Sequence, residues 1–321
     1  MISYKQYLVL SGTIIGAALL LVAAFNALVD PYNLLGNNRT GVFFWNERQI
    51  KDAILTYDHE GVLIGSSKTG YIDPDGLTCY RFYNASMRGM VPEEMFFYLK
   101  KYLRQEKLVL IGFDFYMFNE REFPLLRISD WEDVRFSSAE YLLSIHTTDA
   151  SLKTLKKWKK GEPADGMKEN GQFAYPGIAS HSASADQAQY ERQYNDIIRG
   201  LVKHHYGYFS FSRQRMAYVR EIKKLLDKKK IPYAVFINPF NHDVFAALQK
   251  TEAYSLFLPW QKEMKTIFPD IYDYSISRYS AREGFYREDP YHYTNATGTA
   301  FLNEIIGDFC AGRPERQKKS F

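Results

Sequence analysis

Residues 7–29 read YLVLSGTIIGAALLLVAAFNALV, a run without one charge, and no other feature constrains the chain as much. At 1.5 Å of rise per residue, a helix of this length covers about 30 Å, the thickness of bilayer hydrocarbon. It can span a membrane. A secretory leader has a shorter apolar region and a stronger basic start, whereas only Lys5 precedes this run. A retained anchor over residues 1–29 is therefore expected, with cleavage near residues 23–27 as the alternative. Lys5 before the span and Asp30 after it lean toward an N-terminus inside and an extracytoplasmic remainder. The Gly12/Gly16 GxxxG spacing is common in small-residue spans and carries little weight.

Over the whole chain of 321 residues, 46% hydrophobic and 24% charged residues describe a globular protein rather than a disordered one. Forty-one Lys and Arg against 37 Asp and Glu leave a formal charge of +4. That falls well short of the clustered charge that displaces counterions from phosphates, so no nucleic-acid partner is expected. Cys79 and Cys310 lack the CxxC spacing of a redox or zinc site; one disulfide and two free thiols both stay open.

Residues 30–60, opening with DPYNLLGNN, read as a turn-rich juxtamembrane segment. A soluble domain is expected over residues 61–312. Its buried strands are predicted at 61–65, 107–113 and 233–238, and its helices at 92–104, 212–230 and 296–309. The alternation predicts an α/β fold with a mainly parallel sheet, helices on both faces, and ligands beyond the carboxyl ends of the strands. Between about 120 and 208 the alternation lapses, which reads as an insertion at the active edge of the sheet. Its Lys-rich patch KTLKKWKK (153–160) reads as a solvated helix face ahead of an anion or headgroup contact. Residues 313–321 form a basic tail. Sequons at Asn38, Asn84 and Asn295 are read as incidental.

Two places carry residues fit for chemistry. Gly65-Ser66-Ser67 ends the first strand, where a hydroxyl is presented at the rim of the sheet beside backbone N–H groups. Asp289-Pro290-Tyr291-His292 precedes the last helix, which Thr294 or Asn295 is placed to cap. With Pro290 arguing against a helix, Asp289 and His292 are expected on a loop, the carboxylate turned onto Nδ1 so that Nε2 is left to take a proton. Serine needs such a base because its hydroxyl barely ionises near neutral pH.

A serine after the first strand and a DxxH before the last helix resemble the SGNH or GDSL-type hydrolases. Within that family the chain is similar to the membrane-anchored extracytoplasmic branch, which works in O-acetylation of alginate and other polysaccharides and in D-alanylation of teichoic acids. The resemblance implies an SGNH-hydrolase-like, flavodoxin-like domain with Ser67 as nucleophile, His292 as base and Asp289 as its orienter. Asn84-Ala85-Ser86-Met87-Arg88-Gly89 resembles the second block, so Gly89 would join Ser67 in lending backbone N–H groups to an oxyanion. In the third block Asp114 stands where the family has asparagine, and an ionised carboxylate donates no hydrogen bond. Asn119 is the candidate substitute; Asp114 is otherwise a protonated donor or, by preference, the cap of a backbone turn.

The same resemblance implies an acyl-serine intermediate, an exported or cell-surface polysaccharide as acceptor, and a multispanning membrane O-acyltransferase as the partner that delivers acyl groups. Carbohydrate esterase or deacetylase activity and a non-catalytic polysaccharide-binding scaffold are the alternatives. Tyr291 and Tyr293, with Tyr286 near them, are candidates for stacking on sugar rings, and His242 for lining the cleft. No cofactor is expected. His181, His204, His205 and His242 show no metal-ligand spacing to carboxylates or cysteines in the sequence, so no metal site is expected either.

Overall fold

The structure is a computed structural model describing residues 3–42, 51–55, 57–123, 137–162, 166–174 and 187–311. His181, the basic tail and parts of the expected insertion fall outside those residues. The chain divides into two compact units, one built mainly from Met1–Ile50 and Val134–Met167, the other from Lys51–Asp133, Lys168–Phe173 and Gly177–Phe321. Helices are numbered α1–α9 and strands β1–β7 in chain order.

In the first unit, helix α1 (Tyr4–Val29) opens on a reciprocal cap, Ser3 accepting from the Gln6 N–H while the Gln6 side chain accepts from the Ser3 N–H. It is long and apolar enough to cross a membrane, with a mean hydropathy of 2.5 over 18 residues, and Leu8, Ile14, Leu20 and Leu21 are exposed along it. Its last turn departs from this pattern. Asn26 is fully buried: its amide donates to the Leu142 carbonyl (2.8 Å) and Thr148 Oγ1 (3.0 Å), and its oxygen accepts from Ser151 (2.9 Å). Those partners come from α3 (Ser138–Leu143) and α4 (Ile145–Lys160). The Lys-rich patch forms the C-terminal half of α4, where cations suit the helix dipole. Asp30 ends α1 with φ 44°, and its carboxylate accepts from the backbone of Leu34, Leu35 and Asn37 and from the Tyr141 hydroxyl.

The second unit is built on five parallel strands: β1 (Gly61–Ile64), β2 (Phe82–Asn84), β3 (Leu108–Phe113), β4 (Tyr233–Ile237) and β5 (Tyr272–Asp273), in the order β2-β1-β3-β4-β5. β1 and β3 are continuous buried apolar runs, as strands covered on both faces must be. Alternation sorts their side chains. Val62, Ile64, Val109, Ile111, Val235 and Ile237 pack with α2 (Pro92–Tyr102), α6 (Arg213–Lys229) and α8 (Tyr254–Ile267). Leu63, Leu108, Leu110 and Phe236 pack with Phe301, Leu302, Ile305 and Ile306 of α9 (Asn295–Cys310). Helices thus cover both faces of the sheet. Cys79 and Cys310 are joined in a disulfide across 231 residues, which decides between the two readings of the cysteines.

A long helix, α5 (Gln187–Tyr206), packs against the strand β7 (Asp289–Tyr293), which pairs antiparallel with β6 (Phe285–Tyr286). Asp289 and His292 therefore lie on a short ribbon rather than the expected loop. Pro290 is compatible with it because a two-stranded ribbon leaves edge positions where no N–H is needed. Thr294 caps α9 as expected, accepting from the Thr297 N–H.

Candidate active site

The strand order reverses between β1 and β3, and at such a switch point two neighbouring strand ends diverge and leave a crevice. Ser67 sits there. Ser66 caps the single helical turn Ser67–Gly70, its Oγ accepting from the Lys68 N–H (3.1 Å), which places Ser67 at the head of the turn. The ribbon carrying His292 brings the other two side chains to it. His292 Nε2 lies 2.9 Å from Ser67 Oγ, and His292 Nδ1 lies 2.6 Å from Asp289 Oδ2. The imidazole is held edge-on against Tyr71 (5.1 Å) and Tyr291 (5.0 Å). Burial would raise the Asp289 carboxyl, but the charge and hydrogen bond of His292 and the N–H groups of Tyr291 and His292 outweigh it and hold the group below its ordinary value.

Gly89 lines the same cleft, of about 490 Å³, together with Ser67, Arg88 and His292. Its φ is +59° and a Cβ there would come within 2.8 Å of Phe123, so both backbone and space call for glycine. Among the described residues, the N–H groups of Ser67 and Gly89 have no hydrogen-bond partner. They are available to an oxyanion.

Asp114 has a different task from any expected of it. Its carboxylate accepts from Ser66 (2.7 Å) and the Asn238 amide (3.1 Å) and is ion-paired with Lys68 at 3.2 Å, both side chains being 2% exposed. The adjoining turn, Phe115–Phe118, is closed by the backbone of Asp114, not by its side chain. Lys68, which sequence reasoning passed over, also lies over the rings of Tyr291 (4.5 Å) and Phe240 (4.9 Å). The sole hint of it was a carboxylate at a strand end where the resembled pattern has an amide.

Asn119 does not substitute as a donor to the cleft. It is buried, donates to the His205 carbonyl and accepts from the Ser210 and Arg121 N–H groups, so it staples loops together. Tyr293 is likewise a core residue, 1% exposed, its hydroxyl donating to Asn238. His242 is an exposed residue at the start of α7 (His242–Leu248) and is not among the residues lining the cleft. Tyr291 does line it, stacked on His205 at 4.8 Å.

The cleft wall also brings together three side chains of metal-ligating type. Glu122 Oε1 lies 2.6 Å from His205 Nδ1 and 3.5 Å from His204 Nε2, although 83 residues separate Glu122 from His205. The sequence could not display this cluster, because its spacing exists only after folding. Compared with known proteins, the chain matches no family model and no curated protein.

Proposed function

We propose that this chain is a membrane-anchored, extracytoplasmic, SGNH-like serine acyltransferase that esterifies a hydroxyl of an exported or cell-surface polysaccharide through an acyl-Ser67 intermediate. The observation that carries the reading is the continuous relay from Ser67 through His292 to Asp289, with contacts of 2.9 and 2.6 Å at the rim of a parallel sheet. His292 takes the Ser67 proton as Oγ attacks the acyl carbonyl, then returns it to the leaving group. The acceptor hydroxyl gives its proton to the same Nε2, attacks the acyl-serine, and the serine proton is restored. Negative charge on the carbonyl oxygen in both steps faces the N–H groups of Ser67 and Gly89. Without a side-chain donor at residue 114, the rate is expected to be about 100- to 1000-fold below that of a three-donor site.

Acyl groups activated in the cytosol do not reach this side of a membrane, so the reading includes a multispanning acyltransferase as donor partner. The test is labelling by a fluorophosphonate probe, followed by p-nitrophenyl acetate turnover with and without an oligosaccharide acceptor. Labelling at Ser67, abolished by Ser67→Ala, with ester appearing on the sugar is the expected result. Labelling with release of acetate alone would make the protein an esterase, and an unlabelled Ser67 would leave only a binding scaffold.

A further inference from the structure

We propose that Glu122, His204 and His205 form a binding site for one divalent cation of the zinc type in the wall of the cleft that Ser67 shares. Two imidazoles and a carboxylate are a common protein ligand set for zinc, leaving further positions for water or substrate. The nitrogen donors disfavour magnesium and calcium, which take oxygen ligands. One atom from each side chain lies within 4.8 Å of the others. Tetrahedral zinc at bond lengths of about 2.0–2.2 Å holds its ligand atoms about 3.3–3.5 Å apart, a spacing that lies between the 2.6 Å of the Glu122–His205 contact and the 4.8 Å limit of the set.

Three observations point to a cation rather than to a plain hydrogen-bonded pair. The Glu122 side chain is 6% exposed and its Oε2 has no hydrogen-bond partner, an unfavourable state for a buried carboxylate oxygen. Among the described residues no Lys or Arg pairs with Glu122, whose partners there are the two imidazoles. The His205 ring is fixed between Tyr291 (4.8 Å) and Tyr116 (4.9 Å), while His204 is 70% exposed and free to swing in. Cation binding replaces the contact between His205 Nδ1 and Glu122 Oε1. The remaining coordination positions open into the cleft beside Arg88 and Ser67, where they would take a substrate hydroxyl or carboxylate oxygen.

The site stands independently of acyl transfer, and the experiment keeps the two apart. The full chain, purified in detergent without a polyhistidine tag, is dialysed against zinc and then against cobalt, with metal content and visible absorbance recorded. One zinc per chain is expected, with tetrahedral cobalt bands. His204→Ala, at an exposed position that leaves the fold intact, and Glu122→Gln should each weaken binding by tenfold or more. His292→Ala should bind as the parent does. Substoichiometric metal in the parent, or unchanged binding in His204→Ala, would overturn the site; loss of binding in His292→Ala would move it to the serine relay.

Discussion

Asp289 shows how one side chain is set by opposing causes. Burial works against its charge, and His292 with two backbone N–H groups works for it more strongly, so the folded carboxyl ionises at lower pH than the unfolded one. Such a group stabilises the fold above the unfolded value of about 3.9 and ceases to do so as pH falls through the folded value. With its side chain 31% exposed, solvent screens the effect, and the contribution is small. Asp289→Asn should therefore be less stable than the parent at pH 7, with the gap in urea midpoint narrowing below about pH 4. Turnover of an activated ester by that variant should drop by about ten-thousandfold, because the amide favours the wrong imidazole tautomer. Equal midpoint gaps at pH 7 and pH 3 would contradict the assigned shift. Ser67 and His292 were legible in the sequence because each adjoins an element whose own signal is strong, an apolar run before one and a capped helix after the other. Lys68 was not, since its burial depends on Asp114 at the end of a neighbouring strand.

Among the elements, legibility tracked length. β1, β3 and β4 announce themselves as unbroken apolar runs, whereas β2, three residues long, and β5, two residues long, are too short for any period to register. β7 was hidden by Pro290, which reads as a breaker until the ribbon supplies an edge for it. The helix α9 has a further constraint that spacing could not disclose, its end being tied to the loop before β2 by the Cys79–Cys310 disulfide. Closing so long a loop restricts the unfolded chain, which is worth about 3–5 kcal/mol where the native geometry is unstrained. Reductant, or Cys79→Ser, should lower the melting temperature by about 6–20 °C at the shift per kcal/mol usual for large domains. A melting curve indifferent to reductant would show that the cross-link adds nothing.

At the scale of the whole molecule, synthesis can end in an anchored protein or in one released by cleavage. The apolar character of α1 fits both, since leaders and anchors pass the same test of length and composition. Asn26 separates them. A polar residue inside a cleavage region has no reason to be fully buried, yet its amide satisfies the Leu142 carbonyl, Thr148 and Ser151, and cleavage within residues 23–27 would remove it or strip away the helix that holds it. Each buried partner left unpaired would cost about 1–3 kcal/mol. The Cys79–Cys310 disulfide is in keeping with the extracytoplasmic placement proposed above, because such bonds persist where the environment is oxidising. The helix is accordingly expected to stay on the protein with the sheet-bearing unit outside the cytosol. N-terminal sequencing of protein extracted from membranes should begin before Tyr4, alkaline carbonate should fail to release it, and a maleimide reagent should label neither cysteine until reductant is added. A mature N-terminus between residues 24 and 28 would contradict the structural role given to Asn26. Two reactive thiols without reductant would place the sheet-bearing unit in the cytosol instead.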